Sequence, residues 1–220
     1  RIKMKVNRDV VFFPNWVDTS YFYPIPEREK LKNKWGYESN NIIYLYSGAI
    51  GEKQGLENIL LSAEKLKNNQ NIKFIICGAG PYKNKLIKIV KDKALENVSF
   101  LPVQDKNVFN EFLNMADVHL ILQKANAEDL VMPSKLSTIL AVGGICIVTS
   151  YPDTSLYKVI KEYDLGHIVP PESPELLEEK ILETSLNKSE VEKMRNNARS
   201  YAEKYLNLNN IMNDFITQVL

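Results

Sequence analysis

Short apolar runs, rich in β-branched and aromatic residues, recur along this chain between segments whose apolar positions repeat at helical spacing. The runs are Val10–Phe13, Ile42–Tyr46, Ile72–Cys77, Val98–Leu101, Val118–Leu122, Ile145–Thr149 and His167–Val169. They are nearly continuous in apolar character, with no polar residue at every second position. That pattern predicts strands covered on both faces, as in a buried parallel sheet. Between them Gly55–Asn68, Tyr82–Asp92, Lys106–Met115, Pro133–Ala141 and Thr154–Tyr163 read as helices. Regular alternation of the two predicts an α/β fold, a doubly wound parallel sheet with right-handed crossovers.

After the last run the pattern turns wholly helical: Ser173–Asn187, Lys188–Tyr205 and Leu208–Leu220. Ser173, Pro174, Glu175 and Glu178 supply an acidic helix start. In the last segment Leu208, Ile211, Met212, Phe215, Ile216 and Val219 form one apolar stripe. The stripe suits packing on this domain's own sheet or docking on something outside the chain. At the other end, Arg1–Asp9 reads as a strand-like or linking segment that begins mid-protein. Tyr21–Lys34 reads as a proline-containing loop leading into a short helix. The expected organisation is a linker at 1–14, one domain over 15–205 and a separate C-terminal helix at 206–220.

Composition changes this picture little. Hydrophobic residues make up 45% and charged residues 25% of the 220, ordinary values for a globular protein. The net charge of +1 provides no basic field to argue for nucleic acid. No apolar run approaches the ~20 residues of a membrane-spanning helix. Cys77 and Cys146 fall inside predicted central strands and read as buried, reduced thiols. His119 and His167 also lie in strand-like runs, with no metal-ligand neighbours in the sequence, and read as structural.

In open parallel sheets, ligands bind beyond the carboxyl ends of the strands, where glycine-rich turns lead into helices. Three turns qualify. In Tyr46-Ser47-Gly48-Ala49-Ile50-Gly51-Glu52-Lys53-Gln54-Gly55, Gly48 and Gly51 permit close approach of backbone to a phosphate, and Lys53 can neutralise it. Cys77-Gly78-Ala79-Gly80-Pro81 lacks the third glycine of a dinucleotide fingerprint, since Lys83 stands there, and Leu101-Pro102 offers no acid for a ribose. NAD is therefore disfavoured, and the turn either borders a nucleotide or is simply a turn. In the third, Pro133 opens a helix with Ser134 and Lys135 in its first turn. A lysine there opposes the helix dipole by up to ~1 kcal/mol, which makes sense if an anion is held between Lys135 and the helix N–H groups. There is no Asp-x-Asp to hold a metal-bound diphosphate, so no metal is expected. No serine-hydrolase elbow or Walker loop is present either.

The ordered run of motifs resembles glycosyltransferase family 4. Asn15-Trp16-Val17-Asp18 with Phe22 and Pro24 is similar to the family's "P-N-G-V-D-x-x-x-F-x-P". Tyr46–Ile59 resembles its first donor loop, and Ile76–Pro81 its "V-G-x-G-P". Asn97–Leu101 is similar to "N-V-x-F-L", Met115–Val118 to "x-A-D-V", and Ala141–Val148 to "A-x-G-x-P-V-V". The likeness runs from about Asn15 to Val169. It is strongest to the bacterial colanic acid, O-antigen and capsule enzymes, with "Y-S-G-x-I-G-E-K-Q-G-L-E" and "D-L-V-M-P-S-K-L" nearly intact.

The resemblance implies the C-terminal, Rossmann-like half of a GT-B fold with extra C-terminal helices. It implies retaining, metal-independent transfer from a UDP- or GDP-sugar, with no cofactor, to a lipid-linked or oligosaccharide acceptor. It implies a cytoplasmic protein, peripheral at the inner face of the membrane, whose 206–220 helix docks on its own N-terminal domain. On this basis Gly48, Gly51, Lys53, Ser134 and Lys135 are assigned to the donor diphosphate. Glu128 and Asp129 are assigned to the donor sugar, and Gly78, Gly80, Leu101, Val103, Gln104 and Thr138 to the nucleoside. The chain departs from the family where Leu130 and Thr138 replace its two glutamates, and where Ala49 and Gln54 replace its arginine and lysine. The alternatives are a GT-B UDP-GlcNAc 2-epimerase-like enzyme and a non-catalytic nucleotide-binding module.

Overall fold

The computed structural model describes residues 11, 13–125 and 132–219. Six parallel strands form one sheet: β1 (Ile42–Ser47), β2 (Ile72–Cys77), β3 (Val98–Leu101), β4 (Val118–Ile121), β5 (Ile145–Thr149) and β6 (Gly166–Val169). Their spatial order is β3-β2-β1-β4-β5-β6. Helix α1 (Arg28–Lys34) precedes β1. Helices α2 (Glu57–Lys65), α3 (Lys83–Asp92), α4 (Lys106–Met115), α5 (Ser134–Ala141) and α6 (Ser155–Tyr163) link successive strands. The chain thus winds outward through β2 and β3, then returns to β1's other side with β4. That reversal leaves a crevice beyond the carboxyl ends of β1 and β4.

The continuous apolar runs are explained by cover on both faces. Side chains alternate across a strand, so Tyr44 and Tyr46 of β1 enter one core with Phe74, Ile76, Leu56, Ile59 and Leu60. Ile43 and Leu45 enter the opposite core with Ile75, Phe112 and Leu113. A third cluster joins Val148 of β5 to Leu136, Ile139 and Leu140 of α5, which fixes that helix against the sheet.

Three helices follow β6: α7 (Pro174–Leu186), α8 (Lys188–Tyr201) and α9 (Leu208–Val219). The helical run expected to reach Tyr205 instead turns π-helical over Ala202–Leu206. That change of winding lets the chain return to the domain's entry, where Val17 and Asn207 form a parallel bridge. Arg199 ties the same corner together, donating to the carbonyls of Phe22 and Ala141 at 2.9 and 2.7 Å. Of the stripe on α9, Ile211 is buried, while Met212, Ile216 and Val219 are exposed and Phe215 meets Phe13 edge-on at 5.1 Å. Of the strand expected at Val10–Phe13, Val10 and Phe12 lie outside the described residues, and Val11 and Phe13 belong to no strand.

A charged cluster anchors the amino-terminal end of the sheet. Asp117 accepts from the Ile43 N–H at 2.8 Å and pairs with Lys32 at 2.7 Å and Arg195 at 3.6 Å. Beside it His119 is fully buried. Desolvation, then Arg28 and Arg195, push its imidazole down to about 3, so it is neutral at physiological pH. Both cysteines are free and buried, and burial raises both thiols, Cys146 to about 12.

Candidate functional site: an anion-ready cleft at the strand-order reversal

A cleft of about 780 Å³ opens where the strand order reverses. That volume falls in the range of about 300–1,000 Å³ usual for small-molecule sites. Tyr46, Ser47, Gly48, Ala49 and Gln54 form one wall, and Ser134, Lys135 and Thr138 of α5 form the second. Cys77, Gly78 and Ala79 make the floor, with Val103, Gln104, Lys106 and Phe109 opposite. Two lysines, and no carboxylate among the described residues, line it.

The Gly-x-Gly turn serves the floor by bringing two loops together. A β-carbon on Gly78 would lie 1.9 Å from the Gly48 carbonyl oxygen, and one on Gly80 2.2 Å from that of Ile50. With those β-carbons absent, the Gly48 N–H donates to Cys77 at 3.0 Å and the Ile50 N–H to Ala79 at 2.8 Å. Lys83, the residue standing in the third-glycine position, donates to the carbonyls of Gly78 and Leu101 at 3.0 and 3.2 Å from behind. The glycines are thus occupied by loop packing; Gly78 borders the cleft, while Gly80 is not among its lining residues.

Lys135 is the charged centre of the cleft. Its Nζ sits 4.1 Å from the centre of the Tyr46 ring, and Tyr46 is held by a hydrogen bond from its hydroxyl to the Ala49 carbonyl at 2.6 Å. A β-carbon on Gly48 would stand 2.7 Å from the same Nζ, so glycine makes room for the ammonium. Desolvation pushes Lys135 down to about 8. Among the described residues it has no ion pair and no hydrogen-bond acceptor. A cation–π contact offsets part of that cost, yet a buried cation ordinarily needs a counter-charge. The first N–H groups of α5 lack intrahelical partners and carry the positive end of its dipole into the same space. Ammonium, helix N-terminus and glycine backbone together can receive a diphosphate.

The other assigned residues divide. Gly48, Ser134, Lys135, Gly78, Val103, Gln104 and Thr138 are brought together around the cleft. Gly51 caps the short 3₁₀ turn Glu52–Gln54, its N–H donating to Gln54 Oε1 at 3.0 Å, and Lys53 on that turn is exposed. Neither Gly51, Lys53 nor Leu101 lines the cleft. Lys53 is turned away because Gln54 takes the inward position one residue later. Glu128 and Asp129 lie outside the described residues. Tyr46, Gln54, Lys106 and Phe109 line the cleft beyond the residues assigned from sequence; Lys106 carries a detectable signal, being the first residue of a helix after the third strand. His167, which has no metal-ligand neighbours in the sequence, gains Glu183 and Glu190 beside it in the fold.

Over 214 residues the chain is 37% identical to the putative colanic acid biosynthesis glycosyl transferase WcaI of Escherichia coli K12, covering 96% of this chain and 51% of that protein. This chain therefore spans about half the length of that relative. Its fold matches HepE of Anabaena, solved in complex with UDP, with a TM-score of 0.80 at 13% identity over 93% of this chain and 55% of that one. It also matches the C-terminal domain of the glycosyl transferase LpcC of Francisella tularensis, with a TM-score of 0.72 at 19% identity over 87% of this chain and 99% of that one. Among the described residues no helix is long and apolar enough to cross a membrane. Residues 27–201, which carry the whole sheet and every wall of the cleft, match glycosyl transferases group 1, and the chain belongs to that family.

Proposed function

We propose that this chain is the donor-binding domain of a retaining, metal-independent glycosyltransferase. The parent enzyme would move a sugar from a UDP- or GDP-sugar to a lipid-linked or saccharide acceptor in surface polysaccharide synthesis. One observation carries the reading: the desolvated Lys135, without a counter-charge among the described residues, stands in the first turn of α5 and lines the cleft at the strand-order reversal. In the transfer the bond between the anomeric carbon and the diphosphate breaks, and negative charge grows on the leaving oxygen. Lys135 and the α5 N–H groups are already oriented to stabilise that charge, at no reorganisation cost during the reaction.

Ser134 and the Gly48 backbone complete the diphosphate seat in this reading. Gly78, Val103, Gln104 and Thr138 face the nucleoside, and Glu128 or Asp129 is assigned to the sugar for its closeness in sequence to Leu130, where the family carries a glutamate. Lys106 replaces Lys53 as the second cation within reach. A UDP complex of a relative with the same fold is consistent with a uridine donor. The acceptor belongs to a second domain, against which the exposed face of α9 would dock; the twofold greater length of WcaI supports this. The epimerase alternative has no carboxylate or histidine in the cleft among the described residues.

Calorimetric titration of UDP and GDP into the chain, with Lys135→Ala alongside, tests the assignment. The expected result is binding of one nucleotide diphosphate and its loss in the variant. Equal affinity in both proteins would remove Lys135 from the site. The chain alone should bind the donor and transfer no sugar.

A further inference from the structure

Away from the cleft, three potential metal ligands converge from three elements. His167 lies on the edge strand β6, Glu183 on the last turns of α7, and Glu190 on the first turn of α8. One ligand atom from each lies within 4.8 Å of the other two, and all three side chains are partly buried. We infer that His167, Glu183 and Glu190 form a site for a divalent transition-metal cation of the zinc class.

The other contacts of the trio leave room for the ion. Glu183 Oε2 pairs with Lys180, and Glu190 Oε2 accepts from Asn187 at 2.6 Å. Each carboxylate has a second oxygen outside those contacts, and Lys180 is shared between Glu183 and Glu179. One imidazole nitrogen with two carboxylates suits zinc, whereas calcium and magnesium prefer all-oxygen shells. Three protein ligands and partial exposure leave a fourth position for water. Placement also gives the ion a consequence. Glu183 and Glu190 flank the α7–α8 elbow at Asn187 and His167 lies on the sheet edge, so a bound ion would clamp the C-terminal helices to edge strand β6. None of the three lines the donor cleft, and the inference does not depend on the proposed activity.

The test uses the untagged chain, stripped with chelator. Zn²⁺ is titrated calorimetrically, with Mg²⁺ as control, and Co²⁺ is added separately to read its ligand-field spectrum. One equivalent of Zn²⁺ should bind, and at a hundredfold excess over Kd the thermal midpoint should rise by about 5–10 °C. His167→Ala and Glu190→Gln should each weaken Zn²⁺ at least tenfold and abolish the cobalt spectrum, while UDP affinity stays unchanged. Glu190→Gln keeps the test open if His167→Ala fails to fold. Zn²⁺ affinity and stoichiometry unaltered in a folded variant, or no binding below millimolar Zn²⁺, would overturn the inference.

Discussion

Replacing Lys135 by methionine should raise the stability of the free domain while weakening its affinity for UDP at least about tenfold. Burial lowers this lysine from 10.5 to about 8, a difference of about 2.5 pH units. At 1.36 kcal/mol per unit, that corresponds to roughly 3 kcal/mol of destabilisation when the side chain is charged in the folded state. The site keeps some contact with solvent, and the Tyr46 ring recovers part of the cost, so about 1–2 kcal/mol is expected in practice. Methionine preserves most of the volume against Tyr46 and removes the charge. The sign follows from proton binding. Between about 8 and 10.5 the unfolded chain holds a proton that the folded one has released, so wild-type stability rises with pH across that window. The penalty is complete below about pH 8 and relieved towards pH 10.5. At pH 7 the variant should therefore melt about 3–6 °C above wild type, the gap closing as pH rises. Loss of a charge-assisted hydrogen bond to the diphosphate should weaken UDP by at least about tenfold. Thermal melts at pH 7 and 9.5 with UDP calorimetry read both effects. A less stable variant at pH 7, or unchanged UDP affinity, would refute the reasoning.

Other outcomes follow from the same geometry. UDP affinity of the wild-type chain should fall above pH 8, tenfold per unit in calorimetric titrations, because the free-state Lys135 loses its proton there. Gly48→Ala should weaken UDP binding in calorimetry and also lower the melting temperature, because its β-carbon meets the Lys135 ammonium at 2.7 Å and its φ of +151° strains any residue but glycine. Gly78→Ala should instead cost about 2 kcal/mol or more in urea unfolding, because its β-carbon meets the Gly48 backbone at 1.9 Å and one loop must move. Asp117→Ala should destabilise by about 3–5 kcal/mol in the same assay, leaving the Ile43 N–H without its acceptor and the buried Lys32 with the Asn41 carbonyl but no counter-charge. UDP binding of the Asp117 variant, measured where it is still folded, should match wild type.

Local pattern was enough for much of this protein, and the reason is burial. A strand covered on both faces must be apolar throughout, so Ile42–Ser47, Ile72–Cys77 and Ile145–Thr149 announced themselves. Pro133 marked the start of α5 because proline suits a position where no N–H is required, and the oddly placed Lys135 already pointed to an anion. What tertiary structure decided was which turns meet, and which way their side chains face. Strand order sets β4 beside β1, and only that adjacency brings Lys135 over Gly48. Lys53 and Gln54 differ by one residue, yet a 3₁₀ turn sends the lysine outward and the glutamine in. Gly78 and Gly80 carry a motif associated with phosphates, but here it closes two loops on each other. His167 stands far in sequence from Glu183 and Glu190, and no local pattern could join them. Periodicity records how deeply each residue is buried; the partners it meets depend on contacts between segments remote along the chain.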